Sequence, residues 1–124
     1  MSSSAIPRVA IIDDDASVCR SLSRLLRLAG YQPCAFHSAE QFLGDGERAS
    51  FDCLVVDIEL GGMSGLEMQR ALHEMGDDTA LIFLTAHDEP AIRTKATRAG
   101  CAGFISKSED GTRLLETLSS VTRS

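Results

Sequence analysis

A parallel α/β sheet of five strands, wrapped on both faces by five helices, is the fold class that the sequence predicts. Three observations point to it. Short apolar runs alternate five times with stretches of helical period. The central run is apolar without a polar alternation, as a strand buried on both faces is. Each run ends on a polar residue followed by a turn or helix-start signal. At 124 residues, 44% hydrophobic and 24% charged, the chain has the size and balance of one globular domain.

Residues 1–7 are expected to be a disordered tail and 8–124 the folded domain. Arg8–Ile12 (RVAII) reads as the first strand, closed by Asp13, Asp14 and Asp15. In the helix that follows, Val18, Leu22, Leu25, Leu26 and Ala29 form an apolar stripe opposite Arg20, Arg24 and Arg27, with Gly30 placed to cap its end. Tyr31–Phe36 is a short second strand. Ser38 and Gln41 have capping-box spacing for a helix through Phe42 and Leu43, and Gly44–Ser50 is a polar connection.

Cys53–Val56 forms the third strand, which delivers Asp57 to its exit, because a carboxylate does not stay uncompensated in an apolar interior. Gly61, Gly62 and Gly65 permit a tight turn. Ser64 and Glu67 repeat the capping-box spacing, and Met68, Leu72 and Met75 make a helical stripe that stops at Gly76. Ala80–Thr85 is the fourth strand. The helix from Asp88–Pro90 to Gly100 has a thin apolar face of Ile92, Ala96 and Ala99. Cys101–Ile105 is the fifth strand, ending at Ser106–Lys107, and the last helix, from about Asp110, carries Leu114, Leu115, Leu118 and Val121.

Right-handed crossovers make the open order 2-1-3-4-5 the simplest topology, and ligands in such sheets bind beyond the carboxyl ends of the strands. Asp13, Asp14 and Asp15, then Asp57, Thr85 and Lys107, all fall at that edge. Alone, each has an ordinary explanation as a cap, a turn residue or a solvated side chain. Together they describe a site. Clustered carboxylates repel unless a cation neutralises them, and hard oxygens in small number suit Mg²⁺. A carboxylate nucleophile, Asp57, assisted by Mg²⁺, by the Lys107 ammonium and by the Thr85 hydroxyl, is the equipment for forming an aspartyl phosphate.

Other classes fit less well. A net charge of −6 argues against direct nucleic-acid binding. No apolar run nears the roughly 20 residues that cross a bilayer, and Met1–Ser4 carries no signal-peptide pattern, so a cytoplasmic location without membrane attachment is expected. Cys19, Cys34, Cys53 and Cys101 lie far apart, without C-x-x-C spacing or a histidine cluster, and read as small buried hydrophobes. A small Mg²⁺-dependent phosphatase using Asp13 and Asp15 as a D-x-D pair is an alternative, although it would leave Asp57 idle. A flavin carrier of the flavodoxin type is disfavoured, because the acidic end of the first strand would repel a flavin phosphate.

The motifs I-I-D-D-D at 11–15, V-V-D-I at 55–58, G-M-S-G at 62–65, F-L-T-A at 83–86 and F-I-S-K at 104–107 closely resemble the receiver domain of bacterial two-component response regulators. S-A-E-x-F-L at 38–43 and C-L-V-V-D at 53–57 are most similar to its FixJ-type branch. The resemblance implies a flavodoxin-like three-layer sandwich and a phosphoprotein that is not an enzyme, although it assists its own phosphorylation and dephosphorylation. It implies Asp57 as phosphoacceptor, Asp13 and Asp14 with the Glu59 backbone carbonyl as Mg²⁺ ligands, Thr85 as the switch hydroxyl, Lys107 as the phosphate-pairing lysine and Phe104 as the aromatic switch. The implied partner is a sensor histidine kinase or phosphotransfer protein.

Gly61 and Ser108 stand where the family commonly has proline, so a looser loop after Asp57 and a trans Lys107–Ser108 peptide are expected. Glu59 and His87 are expected to flank the phosphoryl group and tune its hydrolysis. The weakly anchored fourth helix, with the fifth strand and fifth helix, is the expected output face. There Arg93, Lys95 and Arg98 could meet Asp110 or Glu116 of a second copy in a phosphorylation-dependent homodimer.

Overall fold

The computed structural model describes residues 6–122. The elements are β1 (Arg8–Ile12), α1 (Ala16–Leu28), β2 (Gln32–Phe36), α2 (Ala39–Leu43), β3 (Cys53–Asp57), α3 (Gly65–Glu74), β4 (Ala80–Thr85), α4 (Pro90–Arg98), β5 (Gly103–Ser106) and α5 (Thr112–Thr122). All strand pairs are parallel, in the order β2-β1-β3-β4-β5. Side chains of a strand point alternately to its two faces, and this period sorts the core into two slabs. Ala10, Ile12, Leu54, Val56, Leu81, Phe83 and Phe104 face α2, α3 and α4. Val9, Ile11, Cys53, Val55, Ile82, Leu84 and Ile105 face α1 and α5.

The helix faces follow the sequence stripes. Leu26 is fully buried from α1, Met68 and Leu72 from α3, Leu114 and Leu118 from α5. From α4 only Ala96 is buried among the described residues, so that helix is the least anchored of the long ones. Ser64 and Glu67 form a complete capping box at α3. The expected box at α2 is half made: Ser38 accepts from the Gln41 amide, but the Gln41 side chain accepts from His37 N–H instead of Ser38 N–H.

Several boundaries differ from expectation. β2 begins at Gln32 and β5 at Gly103, because Tyr31 and Cys101 are taken up by hydrogen bonds that close the preceding helices, to the carbonyls of Leu26 and Ala96. Met75 is half exposed, since the α3 stripe ends at Leu72 and Met75 is the C-cap. The polar connection before β3 contains a short 3₁₀ turn at Arg48–Ser50. Residues 1–5 of the expected tail lie outside the described residues, while Pro7 joins the sheet edge by accepting from Gln32 N–H at 2.9 Å.

Candidate functional site

The three consecutive aspartates after β1 have three different environments. Asp13 is fully buried, and its Oδ1 accepts from Asp15 N–H at 2.9 Å. Asp14 is exposed and its Oδ2 accepts from Gly61 N–H at 3.2 Å. Asp15 is the N-cap of α1 and accepts from Ser17 N–H, Ser17 O–H and Val18 N–H. Those three donors hold its carboxyl below the usual range. Its engagement with its own helix leaves the D-x-D phosphatase arrangement without its second carboxylate.

Asp57 is the last residue of β3 and is buried. Its Oδ1 accepts from Glu59 N–H at 2.9 Å and its Oδ2 from Lys107 Nζ at 3.1 Å. Lys107 Nζ also forms an ion pair with Asp13 Oδ2 at 2.9 Å, the one compensation that this enclosed oxygen has among the described residues. Burial alone would lower the Lys107 pKa, and the contacts with Asp13 and Asp57 outweigh it and raise it. No peptide among the described residues is cis, so Lys107–Ser108 is trans as expected. A hydroxyl-rich turn does the aiming instead. Ser106 Oγ and Ser108 Oγ are 2.8 Å apart, Ser108 N–H donates to Ser106 Oγ, Ser106 N–H donates to Glu109 Oε2, and Lys107 N–H donates to Thr85 O at 2.7 Å.

The loop after Asp57 is likewise held by polar contacts where proline is missing. Besides the Asp14–Gly61 bond, Glu40 of α2 accepts from Met63 N–H at 3.1 Å. Gly65, the first residue of α3, passes so close to β3 that a Cβ would stand 2.8 Å from Asp57 O and 2.9 Å from Ile58 Cα. The Glu40 contact and the Ser106–Glu109 turn were not visible in sequence. Two serines flanking the lysine were the only available signal.

Thr85 ends β4, buried, and its hydroxyl is fully engaged. It donates to His87 O at 2.8 Å and accepts from His87 N–H at 3.0 Å. The exposed His87 ring lies 3.4 Å from Glu59 Oε1, so the two expected tuning residues meet each other beside Asp57. Phe104 is buried on the α4 face, with Arg93 Cζ 4.8 Å from its ring centroid. Arg93 also forks onto Asp88, which removes it from the charges expected to meet a second copy. Lys95, Arg98, Asp110 and Glu116 remain exposed.

One carboxylate oxygen each from Asp13, Asp14 and Asp57 lies within 4.8 Å of the others. This all-oxygen set fits a small hard cation, and Asp13 brings to it an enclosed carboxylate whose Oδ2 only the Lys107 ammonium compensates among the described residues. Burial, with the charge of Asp57 adding, holds the Asp13 pKa above 3.8 despite the Lys107 contact and the Asp15 amide. A raised folded-state pKa means that the native chain takes up a proton before the unfolded chain does. The contribution of Asp13 to metal-free stability is therefore fully present below 3.8 and is lost as pH rises through its raised folded-state value. Asp13→Asn is expected to flatten that slope and raise the metal-free melting temperature at neutral pH. Mg²⁺ binding, read by calorimetry, should weaken about tenfold or more, since even outer-shell losses reach that size. A variant that keeps the slope would show that another group produces it.

A cavity of about 320 Å³ between α1 and α5, floored by Leu22, Leu25, Leu84 and Leu114, reaches Lys107 but not Asp13, Asp14 or Asp57.

The profile of the response regulator receiver domain matches residues 9–119. The response regulator protein TodT of Pseudomonas putida is 38% identical over 99 residues, which is 80% of this chain and 44% of that protein. Transcriptional regulatory protein FixJ of Azorhizobium caulinodans is 34% identical over 107 residues, 86% of this chain and 51% of that protein. The chain thus spans about half the length of these curated relatives. Among solved structures, FixJ-N superposes with a TM-score of 0.85 at 28% identity, covering 95% of this chain and 94% of that one. A receiver domain described as BeF3-activated DrrB gives 0.86 at 27% identity, covering 97% and 100%.

Proposed function

The chain belongs to the family of response regulator receiver domains, and on that premise we propose that it takes a phosphoryl group from a phosphohistidine onto Asp57. As a member of that family it is a signalling domain of two-component systems and not a conventional enzyme. The observation that carries the specific reading is the buried Asp57 carboxylate, in contact with Lys107 and grouped with Asp13 and Asp14.

In the transfer, an Asp57 carboxylate oxygen attacks phosphorus as the phosphorus–nitrogen bond breaks. The donor imidazole leaves with the electron pair and takes a proton from water. Asp13 and Asp14, with Asp57 and the Glu59 carbonyl, would hold Mg²⁺, which when bound supplies positive charge to the phosphoryl oxygens. Glu59 N–H fixes the orientation of the nucleophile, and Lys107 Nζ already lies where the added negative charge would develop. Thr85 would exchange its bonds to His87 for a phosphoryl oxygen.

Incubation with Mg²⁺ and a small acyl phosphate, followed by intact-mass measurement, tests this. One added phosphoryl group per chain is expected; rapid consumption of the donor without a labelled chain would favour a phosphatase. The Glu59–His87 pair would then set the lifetime of the aspartyl phosphate by ordering or excluding water. Glu59→Asn is expected to change that lifetime several-fold, and an unaltered lifetime would end the tuning role. On the α4–β5–α5 face, Lys95 and Arg98 would meet Asp110 and Glu116 of a second copy when Asp57 is phosphorylated. Light scattering with and without the acyl phosphate distinguishes dimer from monomer.

A further inference from the structure

We propose that Glu40 is a positioning residue for the cation site: from α2 it fastens the β3–α3 loop, so that Asp14 and the Glu59 carbonyl stay aligned for the ion. Ile58 and Leu60 of that loop are buried, and the capping box holds Ser64, so the open span is Gly61–Gly62–Met63. Two glycines make such a span costly to order. Its fastenings are carboxylates. Gly61 N–H donates to Asp14 Oδ2 at 3.2 Å, and Met63 N–H donates to Glu40 Oε2 at 3.1 Å. The Glu40 carboxylate also lies against Gly62, where a Cβ would stand 3.1 Å from Oε2. Gly62 has a φ of +71°, so the chain turns sharply at this contact.

The two carboxylates are not equivalent. Asp14 belongs to the group of oxygens that fits a cation, and an ion drawing on it weakens its grip on Gly61 N–H. Glu40 is not a member of that group and has no such competitor. Its footing is firm although its side chain is exposed. Ala39 and Phe42, on either side of it in α2, are fully buried, and Phe42 packs edge-on against Phe36 with ring centroids 5.2 Å apart. The Gln41 amide donates to Ser38 Oγ and the Gln41 side chain accepts from His37 N–H, which ties down the start of the helix. An amide donating to a carboxylate makes a charge-assisted bond, stronger than a neutral one. A loop already ordered by Glu40 need not be ordered by the ion, so less of the binding free energy is lost.

The inference rests on the reading of Asp13, Asp14 and Asp57 as a Mg²⁺ site for only one of its two readouts. Amide exchange of the metal-free chain, resolved by nuclear magnetic resonance, and Mg²⁺ affinity, read by calorimetry, are measured for the parent and four variants. These are Glu40→Ala, Glu40→Gln, Gly61→Ala, and Gly61→Ala combined with Glu40→Ala. Glu40→Ala is expected to speed exchange at Gly61 and Met63. It should weaken Mg²⁺ binding about tenfold, the lower end for groups that orient metal ligands from outside the coordination sphere. Glu40→Gln keeps an oxygen for Met63 N–H and should recover most of both losses, which a residue acting only as a nearby negative charge would not do. Gly61 is not in the left-handed region, and an added Cβ there meets only Asp14 Oδ2, at an ordinary 3.6 Å. That methyl restricts the loop, so Glu40→Ala should cost less affinity in the Gly61→Ala background. Unchanged exchange, a Gln variant as weak as Ala, or the same loss of affinity with and without the Gly61 methyl would each overturn the proposal. If the parent binds no Mg²⁺, the reading of the acidic site fails instead, and the exchange data still decide whether Glu40 fastens the loop.

Discussion

Asp57→Asn is expected to abolish acid-stable phosphoryl labelling while leaving the fold in place. Asparagine has nearly the same shape, and its one amide oxygen can still accept from Glu59 N–H, while its NH2 takes the place of the oxygen that accepts from Lys107 Nζ. Its amide oxygen is not an anionic nucleophile. Asp13 and Asp14 sit beside Asp57 but do not replace it. The first accepts from the Asp15 amide, and the second is exposed and bound to Gly61 N–H. Intact mass after incubation with Mg²⁺ and an acyl phosphate should show no added group, and far-ultraviolet circular dichroism should match the parent. Continued labelling at the parent rate would place the acceptor elsewhere and undo the functional reading.

Gly65→Ala is expected to have the largest effect on stability of any single methyl addition near the site, about 3 kcal/mol, the upper range for overpacking. A Cβ would meet backbone on two sides, Asp57 O at 2.8 Å and Ile58 Cα at 2.9 Å, and the buried Phe83 ring at 3.1 Å on the third. None of these neighbours can move without displacing β3, α3 or the slab between them. For a domain of this size, that loss is a fall in melting temperature of roughly 10–15 °C. Since the displaced backbone carries Asp57, labelling should slow in the same variant. Gly111→Ala provides the contrast. Its Cβ would stand 2.6 Å from Leu25 Cδ2, but a half-buried leucine tip beside a cavity can rotate away, so about 1 kcal/mol or less is expected. Equal losses in the two variants would refute the distinction between backbone and side-chain obstruction.

The fold and the acid–lysine centre were legible because they are written in local pattern. Strand period, capping spacing at Ser64 and Glu67, and the polar residue at each strand exit are properties of a few neighbouring residues, and the parallel topology then brings the exits together. What escaped was chosen by tertiary contact. Nothing in the neighbourhood of Glu40 indicates that it holds Met63 N–H, 23 residues away. The Arg93 side chain was expected to meet a second copy, and its place over the Phe104 ring was not visible because that contact depends on how α4 lies over β5. Gly61 suggested a looser loop and Ser108 a trans peptide. The hydrogen bonds made in the two segments are encoded by no single-residue propensity.

The run Asp13–Asp14–Asp15 shows how identical letters can be under unequal constraint. A saturation library at these positions should return three different tolerance profiles. Position 15 should accept serine, threonine and asparagine, because any short side-chain acceptor can cap α1. Position 14 is exposed, so a longer carboxylate such as glutamate should survive there, provided that it still reaches Gly61 N–H. Position 13 is fully enclosed between β1, Asp57 and Lys107, so even one added methylene has nowhere to go. Drift along this acidic stretch should therefore be free at its helix end and frozen at its strand end.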